Sequence, residues 1–330
     1  MSETSKNDNF TNDILPLWIH EKEIELSDEE KNDKVYSKTN VWSVGDDYIL
    51  KMSNSEEDIK HKIYVSQLLL NEGIPVPKVI GSLEGNTYIK INNKFYALFT
   101  KIKGEALFDY YKGNYIARAY YLGKCLGKLH KALEKITDNL DDNYMIYDNY
   151  TISEVNTWGK EDIDEYLKRC NLPKKDMDTF NKIYLNIIDN FEKDYKKLPR
   201  QIIHRDFHGQ NIIFNNGRLA GYTDFDLNEK NARLYDLCYL CTGALASGFD
   251  NLSKRKKWPS FARKVILGYR AIVEMNIDEE KSIKNMLYMI QLIMMKYFIK
   301  NNYEYIADVN IKMITYIPLH QYHLQVQTLH

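Results

Sequence analysis

One stretch of the sequence decides the fold: His204-Arg205-Asp206-Phe207-His208-Gly209-Gln210-Asn211, followed thirteen positions after its last residue by Asp224-Phe225-Asp226. Three apolar runs accompany it, at residues 201–203, 212–214 and 219–222. Asn216-Gly217 lies between the last two runs and is a two-residue hairpin signal. The pattern predicts a strand, a loop, and a hairpin that returns Asp224 towards the start of the loop.

These residue types suit the transfer of a phosphoryl group from a nucleotide–magnesium complex. That reaction needs positioning and charge neutralisation rather than covalent help from the protein. Asp206 is the candidate to orient an attacking hydroxyl and accept its proton. Asn211 and Asp224 supply the hard oxygen ligands that Mg²⁺ prefers. The alternative, in which all three are turn and cap residues, leaves this spacing between apolar strands unexplained.

The segment resembles the catalytic core of the aminoglycoside phosphotransferase superfamily, which includes choline kinases, type II homoserine kinases and spore-coat kinase-like proteins. The resemblance implies an α+β, bilobal, protein-kinase-like fold, with a small antiparallel-sheet N-lobe and a larger, mainly helical C-lobe. It implies Asp206 as catalytic base and Asn211 and Asp224 as magnesium ligands. Asp226 would be an auxiliary acid, and Asp236 would open a buried helix and brace the catalytic loop.

The resemblance also sets the expected domains. Residues 1–13 are expected to be a disordered tail, 14–103 the nucleotide-binding lobe, and 104–330 the catalytic and acceptor-binding lobe. One residue departs from the family pattern, because Arg205 stands where the family usually has glycine. Many protein kinases have arginine there, which can pair with a phosphorylated activation loop. Only eleven residues separate Asp224 from Asp236, so protein-kinase regulation is disfavoured.

The amino-terminal half offers candidates for nucleotide binding. Lys51 stands alone as a cation in the apolar run 48–52 and is expected to pair with the phosphates. By the resemblance, the phosphate-covering loop falls at 37–40, where Ser37 and Thr39 would contribute hydroxyls and backbone amides. Backbone groups from Thr100 to Ile102 would hydrogen-bond the base of ATP or GTP. Backbone contacts carry no side-chain signal that separates the two nucleotides.

The partner of Lys51 is an open question in the sequence. Ser55 is a plausible cap for a helix that ends near Gly73. By the resemblance, a glutamate that orients Lys51 would fall about eleven residues before Gly73, but His61 and Lys62 stand there. Either Glu57 pairs with Lys51 or the ion pair is missing. In the second case, a catalytically weak structural protein becomes an alternative to an enzyme.

Two other patterns have structural interpretations. His130 accompanies leucines at helical spacing over 120–136, so we expect a packed core histidine rather than a ligand. Cys238-x-x-Cys241 follows Asp236 on a predicted buried helix, which favours two packed thiols over a redox pair.

Charge is unevenly distributed. Residues 136–166 hold nine acids and one base, Lys160, although the whole chain has a net charge of −1. By the resemblance this region forms the acceptor pocket, and an acidic wall would concentrate cationic acceptors of the aminoglycoside or choline type. A solvated acidic surface is an equal alternative. The basic run in 251–264 is short and the pI of the whole chain is near neutral, at 6.7, so nucleic-acid binding is not expected.

Composition fits an enzyme of ordinary type, with 330 residues, 44% hydrophobic and 28% charged. The start of the chain is polar and has no signal-peptide pattern, and the apolar run 279–303 contains lysines and is expected to be a core helix. We therefore expect a cytoplasmic small-molecule kinase with a nucleotide triphosphate and a hydroxyl acceptor as partners. A kinase of homoserine or of a sugar is an alternative, and the sequence leaves the oligomeric state open.

Overall fold

The computed structural model describes residues 14–18, 40–140, 151–155 and 159–320. Its contacts divide the chain into two compact units. The first contains the chain up to Ala106 together with Ile212–Asp226, and the second contains Leu107–Asn211 together with the chain from Leu227.

The strands, in chain order, are β1 Val41–Val44, β2 Tyr48–Ser53, β3 Val79–Ile80, β4 Ile89–Ile91, β5 Lys94–Thr100, β6 Glu105–Ala106, β7 Arg200–Ile203, β8 Ile212–Asn215, β9 Arg218–Tyr222 and β10 Glu229–Ala232. The helices are α1 Glu56–Asn71, α2 Tyr115–Asp138, α3 Lys160–Arg169, α4 Lys174–Asn186, α5 Glu192–Tyr195, α6 Leu234–Gly248, α7 Leu252–Arg270, α8 Ile277–Lys300 and α9 Glu304–Tyr316. A π-helical turn, Ile187–Phe191, joins α4 to α5.

The first unit is built on an antiparallel sheet of order β1-β2-β5-β3, with β4 also paired to β5. Side chains alternate along β5, as expected for a strand buried on both faces. Leu98 packs with Leu50 of β2 in one core cluster. Ala97 and Phe99 pack with Ile59 of α1 in another. The sheet thus separates two small cores, one of them covered by α1.

Helix α1 begins where the sequence predicts. The Ser55 hydroxyl accepts a hydrogen bond from the Asp58 backbone N–H at 3.3 Å, which satisfies one of the free amides of the first turn. Glu56, Glu57 and Asp58 in that turn complement the positive end of the helix dipole.

The predicted hairpin is present as β8 and β9. Asn216 and Gly217 form its turn with φ of 50° and 75°, the left-handed pair that a two-residue type I′ turn requires. Strand β6 pairs with β8, so the hairpin belongs to the first unit by its contacts. The sequence analysis placed the lobe boundary between residues 103 and 104 and assigned all later residues to the second lobe. That boundary stays a prediction.

The second unit is mainly helical. Helices α2 and α7 approach closely because both carry glycines at the crossing: a Cβ on Gly123 would overlap the Val265 carbonyl, and one on Gly268 would overlap the Tyr120 carbonyl. The leucines predicted on the core face of α2 are all fully buried, namely Leu122, Leu126, Leu129 and Leu133. A small sheet is formed by β7 and β10, which run antiparallel.

The small antiparallel sheet and the mainly helical unit confirm the predicted α+β fold class. No helix within the described ranges has the length and apolarity needed to cross a membrane. Cys238 and Cys241 are buried free thiols. Burial raises the pKa of Cys238 and raises that of Cys241 to about 12, so both are held as thiols rather than reactive thiolates.

Candidate active site

The loop that carries Asp206 is fixed by a fully buried carboxylate. Strand β7 leads into this loop, and Asp236 lies in the first turn of α6. The Asp236 carboxylate accepts the backbone N–H of His204 and that of Arg205, both at 2.8 Å. His130 Nε2 lies 3.1 Å from Asp236 Oδ2, and His130 Nδ1 lies 2.8 Å from the Tyr269 hydroxyl. His130 is therefore the packed core residue that was predicted.

Asp206 is held through both carboxylate oxygens. The Tyr239 hydroxyl donates to Oδ1 at 2.8 Å. The Asn211 amide donates to Oδ2 at 3.0 Å, and His208 Nε2 lies 3.3 Å from the same oxygen. The side chain is about one-fifth exposed, so the carboxylate is oriented by its neighbours and remains accessible.

The tautomer of His208 follows from its other contact. The backbone N–H of Gln210 donates to His208 Nδ1 at 3.2 Å. Because Nδ1 accepts, the proton of a neutral ring lies on Nε2. His208 therefore donates its Nε2 proton towards Asp206.

These donors keep Asp206 ionised. Burial by itself would raise the pKa of this carboxyl, but the hydrogen bond and the electrostatic attraction of His208, together with the Tyr239 hydrogen bond, lower it from 3.8 to about 2. Burial also raises the pKa of Tyr239, so the phenol stays protonated and donates. Such a carboxylate is a hydrogen-bond acceptor at any physiological pH and a weak proton base.

Arg205 pairs with two carboxylates of this chain, whereas the corresponding arginine of protein kinases can pair with a phosphorylated activation loop. It adopts φ of 67°, and its guanidinium pairs with Glu229 and Glu154. Burial opposes the charge, but Glu229 and Glu154 raise the pKa of Arg205 above its ordinary value. The guanidinium links the loop that contains Asp206 to Glu229 of β10 and to Glu154.

Asn211 ends the loop in a defined orientation. Its Nδ2 donates to the backbone carbonyl of Asp206 at 2.9 Å as well as to the carboxylate. Since both partners are acceptors, the amide nitrogen faces Asp206, and Oδ1 is the end of the side chain left to meet a cation. An amide oxygen fits Mg²⁺, which binds few protein ligands and completes its shell with phosphate and water.

Lys51 has carboxylate partners in the first unit. Its Nζ lies 2.8 Å from Asp226 Oδ1 and 3.9 Å from Asp224 Oδ1. Of the two alternatives from the sequence, Glu57 is not among the carboxylates paired with Lys51 in the described ranges. The pair exists, but its acid follows the hairpin instead of lying on α1. A missing partner of Lys51 was the reason to consider an inactive structural protein. Because Lys51 has a partner, that reason no longer holds.

Lys62 occupies the region of α1 where the family pattern suggested a glutamate. Its Nζ lies 3.3 Å from Asp226 Oδ2 and 2.9 Å from Asp58 Oδ2. Burial raises the pKa of the Asp226 carboxyl, but Lys51 and Lys62 outweigh burial and lower it. Together with Asp224, Lys51 and Lys62 line a small cavity of about 40 Å³.

Asp224 differs from Asp226 in its surroundings. Its side chain is about half exposed, and its backbone has φ of 63°, a left-handed conformation that a non-glycine residue adopts at some cost. Its exposed carboxylate has the chemistry of a magnesium ligand.

Of the remaining residues predicted to contact the nucleotide, the structure describes Thr100 and Ile102. Ser37 and Thr39 lie outside the described residues. The Thr100 N–H donates to the Lys78 carbonyl at 2.8 Å, and its hydroxyl accepts the Lys78 N–H at 2.9 Å. The backbone N–H and the hydroxyl oxygen of Thr100 are therefore both hydrogen-bonded to the backbone of Lys78. Ile102 follows the end of β5. Its side chain lies so close to Gly221 that a Cβ atom at position 221 would overlap it.

A cavity of about 580 Å³ lies in the second unit beside Asp206. Tyr239 and His208, the two side chains that hydrogen-bond Asp206, line it. None of the described residues of the acidic region 136–166 lines this cavity. Glu154 pairs with Arg205, and Asp164 pairs with Lys160. The described part of that region therefore gives this cavity no acidic wall.

Sequence reasoning missed Tyr239 and the role of Asp226 as partner of Lys51. Tyr239 follows Asp236 by one helical turn, which is the only sequence signal that it shares a face with the loop brace. Asp226 was noted as auxiliary, but the sequence offers no way to choose between carboxylates on α1 and after the hairpin.

Comparisons with known proteins identify the family of this chain. Residues 24–273 match the Phosphotransferase enzyme family, APH, and the chain belongs to this family. The match covers most of the chain and confirms the predicted relationship and enzyme class.

Two curated relatives are similar over part of their length. A homoserine kinase of Polaromonas naphthalenivorans is 25% identical over 185 residues, which are 55% of this chain and 52% of that protein. A homoserine kinase of Bartonella henselae is 25% identical over 199 residues, which are 60% of this chain and 56% of that protein. The aligned region thus spans about half the length of each relative.

Solved structures share the fold. An amicoumacin kinase in complex with AMP-PNP, Ca²⁺ and Ami has a TM-score of 0.63 at 15% identity, with 96% of each chain covered. The GDP complex of an aminoglycoside 2′-phosphotransferase-IIIa mutant has a TM-score of 0.60 at 14% identity, covering 87% of this chain and 90% of that one. A microcompartment-associated aminopropanol kinase has a TM-score of 0.55 at 14% identity, covering 86% and 88%.

Proposed function

We propose that this protein transfers the terminal phosphoryl group of a nucleoside triphosphate to a hydroxyl group of a small molecule. The observation that carries the proposal is the Asp206 carboxylate, which is oriented by Tyr239, Asn211 and His208 and whose pKa is lowered by His208 and Tyr239. Two of these partners line a cavity of about 580 Å³. A hydroxyl presented there would find a fixed acceptor for its proton.

The nucleotide would be bound by residues of the first unit. Lys51 supplies a cation for the phosphates, and Ile102, Thr100, Ser37 and Thr39 are the further contacts that the sequence proposes. Mg²⁺ would be held by the Asn211 oxygen and the Asp224 carboxylate, and it would neutralise phosphate charge. The AMP-PNP, Ca²⁺ and GDP complexes of the structural neighbours support a nucleotide co-substrate. ATP is the expected nucleotide, with GTP as the alternative.

The relatives and structural neighbours differ more in their acceptors than in their nucleotides. Curated relatives are homoserine kinases, and structural neighbours include kinases of antibiotics and of aminopropanol. These names support an acceptor that carries both an amino group and a hydroxyl. We include aminoglycoside- and choline-like compounds, homoserine and sugars among the acceptors to be tested. A cytoplasmic location accords with the free cysteines.

The proposal is tested by Asp206→Asn, which keeps the shape of the side chain and removes its charge. Turnover should fall by about 10²–10⁴-fold, the usual loss for a missing general base, while Mg–nucleotide binding by calorimetry is retained. A coupled ADP-release assay with a panel of amino alcohols, homoserine, aminoglycosides and sugars measures turnover. Asp194→Asn, an exposed carboxylate paired with Lys197, is the control. Wild-type turnover in Asp206→Asn would refute the assignment.

A further inference from the structure

The basic run at the start of α7 is divided between two surroundings. Lys254 Nζ lies 3.0 Å from a carboxylate oxygen of Asp109. The next two residues, Arg255 and Lys256, instead line a second cavity of about 530 Å³. The described residues that line this second cavity all belong to the second unit, and none of them lines the cavity beside Asp206. The two cavities are therefore separate.

Cations from three helices converge on the second cavity. Helix α4 contributes Lys175, α7 contributes Arg255 and Lys256, and α9 contributes Lys312. Among the described lining residues, Asp176 is the only acid. Like charges that face one cavity repel each other, and the low-dielectric walls of a cleft strengthen the field that they produce. Such a lining favours an anion that carries more than one negative charge.

Aromatic side chains fix the position of the Arg255 guanidinium. Its central carbon lies 5.0 Å from the centre of the Phe249 ring and 5.7 Å from the centre of the Tyr316 ring. The two rings meet edge to face, with their centres 5.9 Å apart. The Tyr316 hydroxyl donates to the Arg255 backbone carbonyl at 3.1 Å, which links α9 to α7. A guanidinium held against ring faces keeps the N–H groups at its edge for oxygen acceptors.

The second cavity also has an apolar wall. Phe249, Leu252, Tyr316 and Pro318 line it beside the cations, and Leu252 is 55% exposed. The volume of about 530 Å³ lies within the ~300–1,000 Å³ of sites that hold small organic ligands. A free inorganic ion would leave most of this volume to water, whereas an organic anion would fill it and contact the apolar wall. The lining therefore favours an anion with an organic body.

We propose that the second cavity binds an organic phosphate, a molecule with an organic body and a phosphate group that carries about two negative charges. The Arg255 guanidinium would hold the phosphate through paired N–H···O bonds, the geometry in which arginine recognises phosphate. Lys175, Lys256 and Lys312 would add positive charge, and the organic body would lie against the apolar wall. The proposal does not depend on the reaction assigned to Asp206, because the two cavities share no described lining residue.

The test compares three probes on the full-length protein by calorimetry. They are 1-naphthyl phosphate, naphthalene-1-sulfonate, which carries one negative charge, and inorganic phosphate, which has no organic body. EDTA is present so that metal-dependent phosphate binding does not contribute. The naphthyl phosphate should bind at least about fivefold more tightly than either of the others, because it alone offers both the charge and the apolar surface. Equal or tighter binding of inorganic phosphate or of the sulfonate, or no binding of the naphthyl phosphate, overturns the proposal.

Substitutions place the probe in the second cavity. Arg255→Met removes the guanidinium and should weaken the binding of 1-naphthyl phosphate by at least about tenfold, the scale of hydrogen bonds to a charged group. Arg263→Met is the matched control, because Arg263 is an exposed arginine of the same helix outside the cavity lining. It should change the affinity by less than about twofold. Lys51→Met separates this cavity from the predicted nucleotide site. A loss of affinity in Lys51→Met or Arg263→Met as large as that in Arg255→Met would overturn the assignment.

A second variant guards against a structural effect of replacing Arg255. Lys256 and Lys312 are both exposed, so the double substitution Lys256→Met and Lys312→Met is expected to fold normally. It should weaken the naphthyl phosphate by about three- to tenfold, the scale of two exposed charge pairs, and the loss should shrink as salt screens the charges. Wild-type affinity in the double variant at low salt would overturn the proposal.

A phosphate group on a lipid headgroup has the same chemistry as a free organic phosphate, and sedimentation with vesicles separates the two sources. The vesicles contain phosphatidylcholine with or without phosphatidylinositol 4-phosphate. The protein should stay in solution with both kinds of vesicle and bind 1-naphthyl phosphate in the calorimeter. Sedimentation that requires both the phosphorylated lipid and Arg255, without binding of the naphthyl phosphate, would overturn the free ligand in favour of a membrane surface.

Discussion

The carboxylates of Asp206 and Asp226 lie on the two sides of the β8–β9 hairpin in sequence and are stabilised in opposite ways. Asp206 is held mainly by hydrogen-bond donors on a loop whose backbone is fixed by Asp236. Asp226 is held by the ammonium groups of Lys51 and Lys62. Directed hydrogen bonds fix the orientation of a group, whereas ammonium charges can exchange one anionic partner for another. The first region is therefore built for positioning, and the second for responding to the charge of a ligand.

The substitution Asp236→Ala should have the largest effect among the tests of this difference. It leaves two backbone N–H groups and His130 without their buried acceptor, so the free energy of unfolding should fall by about 3–5 kcal/mol. Urea unfolding followed by tryptophan fluorescence measures the loss. Asp194→Ala, which removes an exposed aspartate paired with Lys197, should change stability by less than about 0.5 kcal/mol. Near-equal effects of the two substitutions would mean that Asp236 does not fix the loop.

Tyr239→Phe should have an intermediate effect. It removes one donor to an ionised carboxylate, which contributes about 1.5–3 kcal/mol, and leaves Asn211 and His208 in place. Because the donor lowers the pKa of Asp206, its contribution is present above the ordinary carboxyl pKa of 3.8 and is lost as the pH falls towards about 2. The difference in unfolding free energy between wild type and variant should thus be full at neutral pH and smaller near about pH 3.

Tyr166→Phe provides the matched control for that experiment. The Tyr166 hydroxyl also donates to a carboxylate, that of Asp308, at 2.6 Å. This substitution should lower stability but leave turnover unchanged, whereas Tyr239→Phe should lower both. Normal turnover in Tyr239→Phe would show that orientation of Asp206 through Oδ1 is dispensable.

The smallest expected effect belongs to Lys62→Met. Lys62 shares Asp226 with Lys51, so its loss leaves Asp226 to compete more strongly with phosphates for Lys51. Mg–nucleotide affinity should fall by up to about fivefold, the scale of a partly exposed ion pair, and the loss should shrink as salt screens the charges. Lys60→Met on the same helix removes an exposed lysine paired with Glu56 and should have no effect on affinity. An affinity change that is independent of salt would contradict the electrostatic role of Lys62.

Local patterns in the sequence predicted several features correctly because neighbouring residues determine them. Asn216-Gly217 specifies its turn through φ angles alone, and Ser55 caps α1 through its own first turn. The leucine spacing of α2 predicts its buried face. The partner of Lys51 required contacts across 175 positions, and no local rule selects Asp226 over Glu57. The residues that line the cavity beside Asp206 could not be predicted from the sequence either, because they come from segments far apart in the chain that only the fold brings together.

The sequence by itself determined the family and the enzyme class, since the motif that contains Asp206, Asn211 and Asp224 carries the resemblance that the family match confirms. It also determined the fold class, because alternation and helical periodicity are local properties of the chain. Only the tertiary structure decided which groups orient the Asp206 carboxylate and lower its pKa, which carboxylates pair with Arg205, and which residues line the cavity beside Asp206. Those properties depend on burial and on distances between residues far apart in sequence, and a one-dimensional pattern does not contain them.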